Sequence, residues 1–252
     1  MSALILALIA GAVVGLALGA LGGGGSVLAV PALIYLLGFT PAAATTASLI
    51  IVTVTSLTAL YAHARIRNVR WRAGALFAAA GLLPAAAAGA AASRLPQPVL
   101  TAAFAVVAAL AAVKMLRPSG TTTATGPVAG EARPAKAAGT GAGLGALTGL
   151  LGVGGGFLAV PALVTVLAFD MQAAVGTSLL VISANSLASL ATRGATTVGV
   201  DWTVIGPFTA AAILGAWDGR RLAAKVTGSL LQRTFAVGLL AVAAVMLVDA
   251  LS

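Results

Sequence analysis

The first charged side chain in this sequence is Arg65. No Lys, Arg, Asp or Glu precedes it, and a second such gap runs from Arg94 to Lys114. Uninterrupted apolar stretches of about 20 residues are what a hydrocarbon core roughly 30 Å thick demands of a spanning helix. The chain as a whole agrees: 60% of its 252 residues are hydrophobic and 8% are charged, against about 25% charged in a soluble domain. A fold of this size has too little polar material here to make a water-facing surface. The apolar stretches do not alternate with polar residues, which argues against a β-barrel. The class is an all-α polytopic membrane protein. The first 20 residues lack a basic leading region, so they read as a retained segment rather than a cleaved signal.

The net charge of +9 does not point to nucleic acid. The basic residues sit in short clusters between apolar segments, where the positive-inside rule puts them. The polymeric partner is the lipid bilayer, with no nucleic acid. Cysteine is absent, which removes disulfides, thiolate chemistry and Cys-ligated metal. No metal set and no cofactor are expected.

The chain repeats itself. Gly24–Leu33 read GGSVLAVPAL and Gly154–Leu163 read GGGFLAVPAL, an offset of 130. Ala47-Ser48-Leu49 answers Thr177-Ser178-Leu179, and Ser56 answers Ser186. After a one-residue insertion, Trp71 matches Trp202, Phe104 matches Phe235 and Met115 matches Met246. Collinear Gly, Pro, Ser and Trp matches are much harder to obtain by chance than Ala/Leu similarity. The expected division is a first transmembrane repeat over 1–117, a Thr/Gly/Pro-rich cytoplasmic linker over 118–138, and a second repeat over 139–252.

Each repeat holds five apolar segments: 3–20, 26–38, 42–62, 73–92 and 98–116, then 140–151, 157–169, 172–192, 202–218 and 230–250. Segments 26–38, 140–151 and 157–169 are short for spanning helices and fit half-helices or re-entrant pieces that meet at glycine clusters. With the N-terminus outside, 12 of the 14 basic residues fall on the cytoplasmic side; only Arg94 and Arg193 lie outside. Fusing the first two segments of each half makes the halves parallel and worsens the split to nine and five. The charge bias therefore predicts inverted-topology repeats, an architecture of transporters, in a multi-pass protein of the plasma membrane.

The candidate site is the pair of glycine clusters, Gly22, Gly23, Gly24, Gly25 and Ser26 in the first half, and Gly152, Gly154, Gly155 and Gly156 in the second. Each interrupts apolar sequence just before a new helix, with Pro31 or Pro161 in the first turns. Broken backbone in a bilayer is tolerated where it is buried in protein or lines a wet cavity. A helix start presents N–H groups and a positive dipole end, for which an anion is the natural ligand. Two inverted copies would aim both starts at one central position. The competing reading is close helix packing by small residues; duplication at equivalent places favours the substrate site. Thr45, Thr46 and Ser48, with Thr177 and Ser178, follow on the next helix of each half. They either donate to an anion or bond back to their own backbone. Asn185 and Ser186 lie deeper, as interhelical glue or as pathway residues. His63, beside Arg65 and Arg67, reads as a solvated interfacial histidine ahead of a proton relay. Asp170 reads as a helix cap, Asp218 as an interfacial ion-pair partner of Arg220 and Arg221. No acidic residue sits at a helix centre, where proton-coupled carriers often keep one.

The doubled glycine-rich segment followed by VPAL, the serine-bearing helix after it, and Trp71 with Trp202 resemble the sulfite exporter TauE/SafE (TSUP) family over nearly the whole chain. The resemblance implies transport of small sulfur-containing anions such as sulfite, thiosulfate or sulfoacetate, with motif residues at Gly22–Ser26 and Pro31, and at Gly152–Gly156 and Pro161. The expected function is a secondary transporter of such an anion, working by alternating access around a midplane site, with a passive anion channel as the alternative. A membrane enzyme needs a nucleophile with its base, or a metal set, and neither pattern is present. A purely structural scaffold has no need of duplicated helix breaks. Oligomeric state, direction and coupling ion stay open.

Overall fold

The computed structural model describes residues 2–92, 97–116, 134–151, 158–193 and 201–251. Its elements are helices throughout. In the first half they are α1 (Ser2–Leu21), α2 (Gly24–Pro31) continued by a π-helical turn (Ala32–Leu36), α3 (Pro41–Arg65), α4 (Trp71–Ala92) and α5 (Gln97–Leu116). In the second they are α6 (Pro134–Leu151), α7 (Ala159–Thr165), α8 (Met171–Arg193), α9 (Trp202–Lys225) and α10 (Gly228–Leu251). Every expected segment has its helix, and α6 begins inside the stretch read as linker, at Pro134. Residues 117–133 of that stretch lie outside the described residues.

The bilayer accounts for these lengths. α1, α3, α4 and α8 are long and apolar enough to cross it. Leu83 is 81% exposed and Leu214 70%; in water such side chains are an aggregation liability, whereas lipid-facing helices require them. Of the three segments expected to be short, 140–151 lengthens into the 18 residues of α6, and the other two stay short. α2 and its π-turn, eight and five residues, make about 20 Å of helix, and the seven residues of α7 about 10 Å. α1 and α3 both end where His63 meets Gly19, so the α2 stretch carries the chain back between them.

Packing shows how the halves are related. α3 lies against α8 with Ser56 opposite Ser183 and Asn68 opposite Gln172, so these equivalent helices run antiparallel. α5 and α10 do the same, the end of one meeting the start of the other where Gln232 donates to the Met115 carbonyl at 2.7 Å. Equivalent helices that pack antiparallel are related by an axis lying in the membrane plane, which makes the repeats inverted.

The first helices are exchanged. α1 packs along α9, and α6 along α4, as the two most extensive helix pairs. Both pairs run parallel. Gly11, Gly15 and Gly19 face the backbones of Phe208, Ala212 and Ala216, while Gly141 and Gly145 face Phe77 and Gly81. The contacts of Gly11 and Gly15 have their counterparts one repeat away in those of Gly141 and Gly145. A Cβ at Gly11, Gly15, Gly141 or Gly145 would run into a backbone carbonyl oxygen of the partner helix, so glycine is required by close approach alone. Phe208 and Phe77, the equivalent residues beneath these stripes, are both buried.

The turns repeat as well. Gly38 and Ala168 hold φ of 69° and 53°, each followed by an N–H that reaches back to a carbonyl, Phe39 to Leu33 and Phe169 to Leu163, both at 3.0 Å. These are left-handed helix ends of the Schellman kind. Thr40 caps α3 through Ala43 N–H. Asp201 caps α9, and the Thr203 hydroxyl that donates to it at 2.6 Å, with the Thr203 N–H, holds its carboxyl below the usual carboxylate range.

The ten described residues of the predicted basic set collect at one end of the bundle. The links between the end of α3, the end of α9, the end of α5 and the start of α10 place them together, and α6 starts at the same end as its parallel partner α4. Thiol labelling checks the arrangement, because the chain has no cysteine of its own. Cysteines placed singly at the equivalent positions Thr40 and Asp170 are expected to react from opposite faces of the membrane. Labelling of both from one side would rule out inversion.

Candidate functional site

α1 stops because Gly22 takes a left-handed conformation, φ 69°, while its N–H still donates to the Leu18 carbonyl at 2.9 Å. L-residues with a Cβ pay to enter this region and glycine does not. Two residues later α2 begins, with Gly23 at its N-cap and no side chain capping it. Gly24, Gly25 and Ser26 form its first turn. The break in the first half is thus observed where the glycine cluster predicted it. Gly152, Gly154, Gly155 and Gly156 lie outside the described residues.

The break rests on the other half of the protein. A Cβ at Gly22 would lie 2.5 Å from Ser178 Oγ, and 3.3 Å from both Val160 Cγ2 and the Val175 carbonyl. Gly22 therefore sits against α7 and the second turn of α8. The crossing of α3 and α8 is further on, where Ser56 Oγ and Ser183 Oγ are 2.9 Å apart. Ser183 is five residues beyond Ser178, about 7.5 Å along the helix. The Gly22 break consequently stands off the crossing, toward the basic end, because α8 enters from that end.

Two of the expected hydroxyls bond to their own helices. Ser48 donates to the Thr45 carbonyl at 2.9 Å and Ser178 to the Val175 carbonyl at 2.8 Å. These are equivalent bonds in equivalent helices, the backbone alternative for Ser in a membrane helix. Thr177 accepts from the Arg70 N–H at 3.1 Å, stitching the α3–α4 connection to α8. Thr45 and Thr46 are half-buried on the first turns of α3.

Deeper in the pair lies a polar seam. Thr53, Thr55 and Ser56 of α3, and Ser183 and Ser186 of α8, are all buried. Besides their contact across the crossing, each serine reaches a carbonyl of its own helix, Ser56 that of Thr53 at 3.2 Å and Ser183 that of Leu179 at 2.8 Å. Two side chains of the seam keep a buried polar atom with no hydrogen-bond partner, Thr55 Oγ1 and Asn185 Oδ1. They occupy the same position of the repeat, 130 residues apart. Buried polar groups are nearly always satisfied, so a matched pair of exceptions at the centre of a transbilayer helix pair is informative. Asn185 was expected as a candidate; Thr55 was not, though its place opposite Asn185 in the repeat would have found it.

His63 corrects the sequence reading. It is 3% exposed, with Nε2 3.4 Å from the Gly19 carbonyl, and is not a solvated interfacial residue. α1 lies across it, which its neighbours Arg65 and Arg67 in the sequence do not reveal. Asp218 pairs with Arg221 at 3.5 Å, both largely exposed, an interaction of little energetic weight. Among the described residues no cluster of His, Cys, Asp or Glu is arranged to hold a metal ion.

Inverted repeats, a helix broken at Gly22 against the opposite half, and an unsatisfied polar seam between antiparallel spanning helices define a multi-pass membrane transporter. A family model described as "Sulfite exporter TauE/SafE" matches residues 7–246, and the chain belongs to this family. Two similar curated proteins, both named "Probable membrane transporter protein", come from Xylella fastidiosa strains Temecula1 and 9a5c. Each is 34% identical over 248 residues, covering 95% of this chain and 93% of the relative. No solved structure gives a significant match.

Proposed function

We propose that this protein is a secondary transporter of a small sulfur-containing anion of the sulfite, thiosulfate or sulfonate class. In this reading the solute passes along the α3–α8 seam, and the inverted halves rock to open it alternately to each side. The observation that carries the reading is the matched pair Thr55 and Asn185, each with a buried polar atom left without a partner. The unpartnered Thr55 hydroxyl can donate to an oxyanion, whereas the unpartnered Asn185 Oδ1 is an acceptor and that amide would reach an anion through its Nδ2. The broken helix at Gly22–Ser26 borders the seam on one side of its crossing. Thr45, Thr46 and Ser48 of α3 lie on the other side of the crossing. The basic end faces the cytoplasm of a plasma-membrane protein, as the positive-inside bias requires.

The test is flux into proteoliposomes for sulfite, thiosulfate, sulfoacetate, sulfate and chloride. A carrier predicts saturation with one sulfur anion and acceleration by the same anion on the opposite side. Thr55→Val and Asn185→Leu each remove hydrogen bonds to a charged ligand, about 1.5–3 kcal/mol, and should lower kcat/KM about tenfold or more. Flux that grows linearly with concentration would mean a channel. Absence of flux for every sulfur anion would defeat the proposal.

A further inference from the structure

A second group of unsatisfied polar atoms lies at the basic end, apart from the seam. A small, partly open cavity is lined there by His63 from α3, Asn68 from the following turn, Gln172 from α8 and Arg220 from α9, over an apolar floor that includes Ala20 and Val175. His63 is 97% buried by its 3% exposure, and its Nδ1 has no hydrogen-bond partner. Arg220 Nε is also buried and without a partner. The amide of Asn68 donates to Gln172 at a long 3.4 Å. Among the described residues no Asp or Glu lines the cavity, and the nearest acid in sequence, Asp218, is engaged with Arg221.

A guanidinium turned into a partly closed, low-dielectric space with no carboxylate beside it is costly, and such groups are held against a counter-charge. The unmatched atoms set what that counter-charge must be. Arg220 and the Asn68 amide are donors suited to oxygen acceptors around one centre, while His63 Nδ1 is an acceptor, its Nε2–H being directed at the Gly19 carbonyl. The cavity is small, with about 20 Å³ of room for the centre of a water-sized group, so the ligand has few heavy atoms. Val175 links this cavity to the glycine break, since its carbonyl lies 3.3 Å from a Cβ at Gly22. The cavity therefore sits where a solute would enter or leave the path at the basic end.

We infer that this cavity is a binding site for a small oxyanion, with Arg220 supplying the charge and the Asn68 amide fixing its orientation. The inference deepens the transport proposal and rests on its claim that the chain handles an anion. It adds an outer docking step that the glycine motifs and the seam do not contain.

Calorimetric titration of the full-length purified protein with sulfite, thiosulfate, sulfate, phosphate and chloride tests it. One oxyanion should bind, Arg220→Gln should weaken that binding about tenfold or more, and Arg221→Gln, changing an exposed neighbour of equal charge, should leave it unchanged. Equal binding by the two variants would overturn the inference. Should Arg220→Gln fail to fold, Ala224→Cys keeps Arg220 intact and places a thiol in the cavity wall. Sulfate or phosphate should then slow its labelling several-fold, and not that of Arg221→Cys; unchanged labelling would refute the site. The two proposals fail separately. Arg220-dependent binding of phosphate but of no sulfur anion would keep the cavity and remove the sulfur assignment. A sulfur anion bound and carried equally well by Arg220→Gln would keep the transporter and remove the cavity.

Discussion

Gly22→Val is expected to reduce transport to under about a tenth while leaving the protein inserted in the membrane. Two independent costs fall on this residue. Valine must enter the left-handed region at φ 69°, worth about 1–2 kcal/mol for an L-residue and more when β-branched. Its Cβ also arrives 2.5 Å from Ser178 Oγ, and crowding of this kind in a packed interior costs about 1–3 kcal/mol. The chain relieves both by moving α2 away from α8, which displaces the break from the seam. The two costs are separable. Gly22→Asn combined with Ser178→Gly keeps a residue that tolerates positive φ and removes the obstructing hydroxyl, so it should recover much of the activity. Gly22→Val with Ser178→Gly should recover less. Flux normalised to protein in the membrane, together with the melting temperature of each variant, reads out both. Full transport by Gly22→Val would show that the break has no part in the path.

Gly15→Leu is expected to have the larger effect on stability, about 3 kcal/mol or more, and to yield protein that aggregates on extraction. Gly15 lies in the middle of the α1–α9 contact, and a Cβ there already meets the Ala212 carbonyl. Lipid gives apolar helices no hydrophobic reason to associate, so close van der Waals packing holds such a pair together. A leucine holds the backbones apart along the whole stripe. Gly145→Leu, its counterpart against Gly81 of α4, should do comparable damage. Gly139→Leu, with open space around its Cβ, should do far less. Monodispersity on size exclusion and thermal melts of the three variants check the order. Equal stability of Gly15→Leu and Gly139→Leu would show that the exchanged packing is wrong.

The helices and the inversion were legible because the bilayer is a demanding solvent. It sets helix length, confines Lys and Arg to the ends, and so turns charge-free gaps and the placement of Arg65, Arg67, Arg70 and Arg72 into topology. The glycine break at Gly22 was legible for a similar reason, since few other residues can turn the chain there. Partnership was not. Gly11, Gly15 and Gly19 recur with Gly141, Gly145 and Gly149 at the same period of four, yet a glycine stripe says that some backbone approaches without saying whose. His63 was misread because burial by α1 is set from 44 residues away, while its neighbours are arginines. Thr55 was overlooked because a threonine in a membrane helix ordinarily satisfies itself, as Thr53 does on the Leu49 carbonyl at 2.6 Å. In the structure the absence of such a bond singles it out; in the sequence its equivalence to Asn185 is the one signal.

The exchange of first helices also dictates an order of assembly. α1 leaves the ribosome first and its partner α9 almost last, so α1 must wait unpaired in lipid until most of the chain has been synthesised. α4 waits in the same way for α6, though for a shorter time. Neither half contains the surfaces that complete its own fold. Each would be an open structure alone, and a five-segment ancestor could have closed only by clasping a second copy of itself inserted upside down.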